Sequence, residues 1–207
     1  MQTPHRLIRA LLSVAVLVMG LMAFPATASA TTADDPLPAG CVDASTTGTV
    51  TVHCNVTIGN QLVTIQVQCD GLTNFSVDGS KLVFDQAGTC NIDIKIPALG
   101  VTISSGCMGD GPNNFRIDTA TLSIEDDSAG QCDTTIKAGD KSVSVDTKGQ
   151  TQTEIKVINA TVEVTTHGPA SVTTSEGVNY SCGGSNTVRV DGSDPLNPQM
   201  SVTNCVN

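Results

Sequence analysis

Aromatic residues are scarce in this sequence. It has no tryptophan, one tyrosine and four phenylalanines among 207 residues. Antiparallel β-sandwiches usually rely on large rings to fill their cores, and binding sites for sugars tend to use an aromatic platform. The low ring content predicts a core of thin Val, Ile and Leu layers. It also disfavours a carbohydrate site built on stacked rings.

Basic residues are also few. Ten Lys and Arg stand against twenty Asp and Glu, which gives a formal net charge of −10. Nucleic-acid phosphates require a basic surface, and anionic lipids attract Lys and Arg. The charge balance therefore argues against a nucleic-acid partner and against docking on an anionic membrane.

Long apolar runs are confined to the N-terminus. Arg6 and Arg9 precede an almost unbroken apolar stretch, Ala10–Phe24, and small residues follow up to Ala30. The run is shorter than the roughly 20 residues that span a bilayer, so an uncleaved membrane anchor is the less favoured alternative. The pattern predicts a signal peptide over residues 1–30, cleaved near Ala30. We expect a secreted or cell-surface protein with no membrane span in the mature chain.

Cysteine is plentiful beyond that segment. Eight cysteines follow residue 30, and an even number in an oxidising compartment predicts four disulfide bonds. A structural zinc site is disfavoured because no two cysteines are two to four residues apart. We assign no catalytic residue, no cofactor-binding residue and no metal ligand. The assigned disulfide cysteines are Cys41, Cys54, Cys69, Cys90, Cys107, Cys132, Cys182 and Cys205.

Helical spacing of apolar residues is absent beyond the signal segment, whereas the alternation typical of strands is widespread. Ile92–Ile96 alternates apolar and polar residues without a break, and turns such as Asp78-Gly79 separate the strands. The pattern predicts a polar N-terminal lead over residues 31–46 and a single all-β repeat domain over residues 47–207.

Several segments resemble one another. Cys54–Ile58, Cys90–Ile94 and Cys132–Ile136 each begin with a cysteine and continue as a short strand. The recurring unit varies in length, and Gly149 stands near the place where the third unit would have its second cysteine. Recurrence of this kind is typical of stacked repeat folds.

Two architectures fit these observations. The repeats favour a β-solenoid, a β-helix-like stack stapled by disulfides, in which cysteines recurring once per coil form a column. Neighbours in such a column are close enough to bond, so consecutive pairing would follow. The alternative is an antiparallel β-sandwich of hairpins, with Asp78-Gly79 as one hairpin turn. The consecutive pairs would be Cys41–Cys54, Cys69–Cys90, Cys107–Cys132 and Cys182–Cys205.

No catalytic constellation is complete. Asn179–Gly183 approaches the nucleophile elbow G-x-S-x-G around Ser181 but lacks its first glycine, which is the residue that permits the strained turn. His53 and His167 are the only candidate bases beyond residue 30. Paired carboxylates acting on a glycosidic bond remain the catalytic alternative. The sequence leans against an enzyme.

The sequence contains oxygen-rich segments that could bind calcium, although we assign no cofactor. The acidic and amide side chains are of the kind that calcium accepts, but none of the segments matches the EF-hand loop. Solvated turns are the favoured explanation of these segments. The three segments are Glu125-Asp126-Asp127, Asp110 with Asn113 and Asn114, and Asp191 with Asp194.

These features together predict a secreted or cell-surface structural or binding protein with no catalytic activity of its own. It would present a rigid β surface to an extracellular protein or glycan, whose identity the sequence leaves open. The alternative is an extracellular enzyme that acts on polysaccharide through paired carboxylates.

Overall fold

The computed structural model describes residues 35–71, 73–108, 113–128, 130–147, 149, 151–194 and 196–207. The predicted signal peptide and its cleavage site lie outside these residues. Every regular element in the described part is a β-strand, apart from one 3-10 turn at Pro97–Leu99. The prediction of an all-β protein is confirmed.

The strands follow one another in short succession. They are β1 (Cys41–Asp43), β2 (Thr49–Ile58), β3 (Gln61–Asp70), β4 (Asn74–Asp78), β5 (Lys81–Ala87), β6 (Thr89–Ile96), β7 (Val101–Met108), β8 (Asn113–Asp118), β9 (Ser123–Ser128), β10 (Gln131–Ala138), β11 (Lys141–Thr147), β12 (Thr151–Ile158), β13 (Thr161–His167), β14 (Ala170–Thr174), β15 (Asn179–Cys182), β16 (Ser185–Asp191) and β17 (Gln199–Thr203). None of the helical structure in the described residues is long and apolar enough to cross a membrane.

The strands form two antiparallel sheets around one hydrophobic core. The nine-stranded sheet has the order β1-β2-β3-β6-β7-β10-β11-β14-β15, and the eight-stranded sheet has the order β17-β16-β13-β12-β9-β8-β5-β4. Successive hairpins alternate between them, so β2–β3 lies in the first, β4–β5 in the second and β6–β7 in the first again. This arrangement fits the antiparallel sandwich of hairpins that the sequence left as the alternative. A stack of solenoid coils is not what the strand pairing shows.

Period-two alternation determines which side chains enter the core. In β6, Cys90, Ile92, Ile94 and Ile96 are buried, while the residues between them are exposed. Successive side chains of a strand point to opposite faces, so each apolar set lies between the sheets and each polar set faces solvent. The core contains mainly Val and Ile, as the low ring content predicts.

Each sheet has an inward-facing row of residues that runs across its strands. In the nine-stranded sheet, the cysteine row places each residue directly opposite the next on the neighbouring strand. Its members are Cys69, Cys90, Cys107, Cys132, Thr147, Ala170 and Cys182. In the eight-stranded sheet, the corresponding row is aromatic at one end and polar at the other. Its members are Phe75, Phe84, Phe115, Asp126, Thr153, Thr166 and Asn186.

Four disulfide bonds are present, as predicted, and they join cysteines that are consecutive along the chain. Two of them join neighbours within the cysteine row, because directly opposite residues of an antiparallel pair are also close enough to bond. Consecutive pairing is therefore compatible with hairpins and does not require coils. The pairs are Cys41–Cys54, Cys69–Cys90, Cys107–Cys132 and Cys182–Cys205.

The disulfides bracket the hairpins of the eight-stranded sheet. Cys69–Cys90 encloses β4–β5, Cys107–Cys132 encloses β8–β9, and Cys182–Cys205 encloses β16–β17. Cys41–Cys54 instead attaches β1, which lies within the predicted polar lead, to β2. Each bracketed hairpin is held at the base where it leaves the nine-stranded sheet.

The connection between β5 and β6 passes close to β3, and this depends on the absence of a side chain at Gly88. A Cβ atom there would lie 2.0 Å from the backbone oxygen of Asp70. Since backbone cannot move aside as a flexible side chain can, Gly88→Ala should lower the free energy of unfolding by about 1–3 kcal/mol. Urea unfolding with the disulfides intact would measure it. Gly183 has open space around its Cβ position, so Gly183→Ala is the control, and equal stability of the two variants would contradict the prediction.

Candidate functional site

The residues considered for a serine hydrolase are not brought together. Ser181 lies on β15, where its backbone pairs with Val206. His167 ends β13 in the other sheet, and its Nδ1 atom is 3.2 Å from the hydroxyl of Ser185. His53 lies on the outer side of β2. No triad forms from these residues.

The segment Glu125-Asp126-Asp127 is a strand and not the turn that the sequence suggested. The three residues lie in β9, where Glu125 and Asp127 face outward and Asp126 is buried between the sheets. Successive strand side chains point to opposite faces, so the three carboxylates cannot converge on one ion.

The two other oxygen-rich segments use their side chains for local structure. The buried Asn113 donates a hydrogen bond to the backbone oxygen of Gly88 at 2.6 Å, and Asp110 lies outside the described residues. The carboxylate of Asp191 accepts a hydrogen bond from the backbone N–H of Ser193, and this bond lowers the pKa of Asp191. These contacts explain the acidic and amide residues as turn and strand supports.

A larger group of charged side chains converges on the outer face of the eight-stranded sheet. Four neighbouring strands, β8, β9, β12 and β13, surround a depression of about 240 Å³ there. We call it the acidic depression, because three of its outward side chains are carboxylates. Those outward side chains are Arg116, Glu125, Asp127, Gln152, Glu154 and His167.

The register of the strands determines which of these side chains are neighbours. Arg116 is directly opposite Glu125, and Glu125 is directly opposite Glu154. Directly opposite residues have Cβ atoms about 4.5–5.5 Å apart, and like charges in that position destabilise a sheet. Lys156 offsets the repulsion at Glu154, because its Nζ atom is 2.5 Å from Glu154 Oε1.

The acidic side chains around Lys156 affect its pKa. Its hydrogen bond to Glu154 raises the pKa of Lys156, and the charges of Glu163 and Glu125 act in the same direction. Glu163 in turn lies 3.4 Å from Arg189. Acidic and basic side chains thus lie next to one another on the outer face, and Glu125 among them is exposed to solvent.

Two residues whose side chains are buried on the inward face also border the acidic depression. Asp126 lines it although the residue is only 5% exposed, and Thr153, directly opposite, lines it as well. The Thr153 hydroxyl is buried and has no hydrogen-bond partner among the described residues. Asp126 Oδ2 lies 3.0 Å from Cys107 Sγ and 3.2 Å from Cys132 Sγ.

The burial of Asp126 is what the sequence reasoning missed. The signal was present, because Ile124 begins an alternation that places residue 126 on the same inward face. Three acidic residues in a row suggested a solvated turn instead. With Cys107 and Cys132, Asp126 forms the kind of cluster that could hold a metal. Metal coordination requires thiolates, however, and these two cysteines are bonded to each other.

Comparison with known proteins gives no match to a protein-family model, to a curated protein or to a solved structure. Evidence for the function of this chain therefore comes from its own residues. The acidic depression gathers more charged side chains than a second cavity, on the nine-stranded sheet, which is lined by Asp93 and Asp133.

Proposed function

We propose that this protein is a secreted or cell-surface structural or binding protein without catalytic activity of its own, which presents a rigid β surface to a partner. Four disulfides are consistent with an extracellular location, because such bonds persist in oxidising compartments. The bonds fix three hairpins of the eight-stranded sheet at their bases. Such a surface loses little conformational freedom when a partner binds.

The acidic depression is the observation that carries this proposal. Glu125, Asp127 and Glu154 line one cavity on a chain whose net charge is −10. A cavity in which carboxylates outnumber basic side chains attracts partners of the opposite sign and orients them. We therefore favour an extracellular protein partner that inserts a Lys- or Arg-rich segment here.

A decalysine peptide is a suitable probe of this surface. We expect it to bind the protein in low salt, and Glu125→Gln with Glu154→Gln should weaken binding by about 5- to 10-fold, since exposed ion pairs contribute modestly. The control is Asp93→Asn with Asp133→Asn, which removes the same charge from the outer face of the nine-stranded sheet. Fluorescence anisotropy would report both affinities. Equal weakening in the two variants would contradict a local site.

A polysaccharide-acting enzyme is the second candidate, because Glu125 and Glu154 are directly opposite within one cavity. Retaining glycosidases place their two carboxyl groups about 5–5.5 Å apart. Against this, a general acid is usually kept protonated by an apolar pocket, and this depression has polar and charged walls. Release of reducing sugar from xylan, chitosan or a β-glucan, lost in the Glu125→Gln, Glu154→Gln variant, would favour the enzyme. We expect no release by either protein.

A further inference from the structure

The two edges of the eight-stranded sheet are less protected than those of the nine-stranded sheet. Strand β1 has only three residues, and Val206 exchanges backbone hydrogen bonds with Ser181 of β15 at 2.7 and 3.0 Å. Short edge strands and covering segments are two ways in which proteins keep sheets from joining. Strands β4 and β17 end the eight-stranded sheet among the described strands, and each has five residues without Lys or Pro. These two strands are therefore the edges to which a further strand can be added.

The backbone of Val77 points away from its neighbouring strand. A two-residue turn joins β4 to β5, so Asp78 and Lys81 close the turn as a hydrogen-bonded pair. Hydrogen-bonded and non-hydrogen-bonded pairs alternate along an antiparallel ladder. The N–H and C=O groups of Val77 therefore face away from β5, toward the open side of β4.

The backbone of Val202 points outward in the same way at the opposite edge. The N–H of Gly192 donates to Ala160 at 2.9 Å, on the side of β13, so the N–H of the preceding Asp191 points toward β17. Asp191 and Gln199 are directly opposite, which makes them a hydrogen-bonded pair. Alternation along β17 then places the N–H and C=O groups of Val202 on the open side.

Val77 and Val202 are also the two ends of an apolar row on the inward face, which crosses all eight strands without a polar residue. Its members are Val77, Leu82, Ile117, Ile124, Ile155, Val164, Val188 and Val202. Val202 is half-buried, and with Met200 and Tyr180 it lines a cavity of about 300 Å³ between the edge strands β15 and β17. Space for a further apolar side chain therefore exists beside β17.

We propose that copies of this protein assemble head to tail, with β17 of one copy pairing with β4 of the next. The sheet has an even number of strands and every pair is antiparallel, so β4 and β17 run in opposite directions. A second copy in the same orientation therefore presents an antiparallel partner, and its Val202 continues the apolar row beyond Val77. Such a heterologous contact leaves a free edge at each end and forms a filament instead of a closed dimer. This goes beyond the proposed binding function and does not rest on the acidic depression.

The charges of the chain determine how this assembly responds to salt. Strand β17 contains no charged residue, so Asp78 of β4 meets no like charge across the contact. The whole chain has a net charge of −10, which repels one copy from another, and salt screens that repulsion. Assembly should therefore increase with salt, whereas binding of decalysine to the acidic depression should decrease.

The test uses one proline substitution at each edge. Val77→Pro and Val202→Pro remove N–H groups that face away from the sheet, so each blocks pairing from outside while the sheet keeps its own hydrogen bonds. In sedimentation velocity at high salt, the weight-average mass of the unaltered protein should rise with concentration beyond about twice the monomer mass. Each proline variant alone should stay a monomer. Val77→Ala and Val202→Ala keep the N–H groups and are the controls, which should still assemble.

An equimolar mixture of the two proline variants distinguishes the head-to-tail contact from other forms of association. Each variant retains one competent edge, so the mixture should reach about twice the monomer mass and stop there. A closed dimer through β4 alone would persist in Val202→Pro, and that result would overturn the proposal. So would a mixture that stays monomeric or grows without limit, or an unaltered protein that stays a monomer.

Hydrogen exchange of the unaltered protein tests the same contact without any substitution. Backbone N–H groups exchange more slowly when a partner strand accepts their hydrogen bonds. Peptides containing Val77 and Val202 should therefore gain protection as the concentration rises, whereas β1, the edge of the other sheet, should not. Growth in mass with unchanged exchange at β4 and β17 would show that the copies associate elsewhere and would overturn the proposal.

Discussion

The paired substitution Thr147→Cys and Ala170→Cys is expected to raise the free energy of unfolding by about 3 kcal/mol. The two residues are directly opposite on β11 and β14 and continue the cysteine row. They bracket β12–β13, the one hairpin of the eight-stranded sheet in the described residues that no disulfide encloses. Their separation along the chain equals the 23 residues between Cys182 and Cys205.

Most of this gain comes from restricting the unfolded chain. Part of it is offset, because the Thr147 hydroxyl donates a hydrogen bond to the backbone oxygen of Cys132 at 3.3 Å, and such a bond contributes about 1 kcal/mol. Thr147→Ser with Ala170→Ser is the control, since serine resembles cysteine in size but forms no crosslink. Urea unfolding and thiol counting would test the pair. A crosslinked variant no more stable than the control would contradict the prediction.

The same pair shows where the sequence was informative and where it was not. Recurring cysteines suggested that a second cysteine of the third unit was missing, and Gly149 seemed to stand near its place. The strand register shows that this position is occupied by Thr147, which is directly opposite Ala170. Loop lengths differ between units, so counting residues along the chain cannot locate a position that strand pairing fixes.

Strand positions were predictable because alternation is a local property. Ile92–Ile96 lies in β6 as expected, and Asp78-Gly79 lies at the β4–β5 turn. Strand direction was not predictable, because alternation is identical in parallel and antiparallel sheets. Consecutive disulfides did not decide it either. Cys90 is directly opposite both Cys69 and Cys107, so even the observed register permits a different pairing.

The burial of Asp126 is a second feature that the sequence did not predict. A buried acid contradicts the pattern by which strands are recognised, and the run Glu125-Asp126-Asp127 therefore suggested a solvated turn. Sequences depart from their local pattern where a site has a special role. The departure at residue 126 coincides with the contact to Cys107 and Cys132.

Phe84→Ala is expected to have the largest effect, a loss of about 3–5 kcal/mol in the free energy of unfolding. Phe84 is fully buried and lies directly opposite both Phe75 and Phe115, with its ring centroid 4.9 Å from that of Phe75.

The size of this loss follows from the composition of the core. Beyond residue 30 the sequence has three phenylalanines, and all three are neighbours in one row, so removing the central ring leaves a cavity that Val and Ile side chains cannot close. Val83→Ala is the control, because Val83 is half-buried and faces outward on the same strand; it should cost less than about 1 kcal/mol. Urea unfolding would measure both variants. Equal losses would mean that the disulfides and the aliphatic layers, rather than the rings, hold β4, β5 and β8 in place.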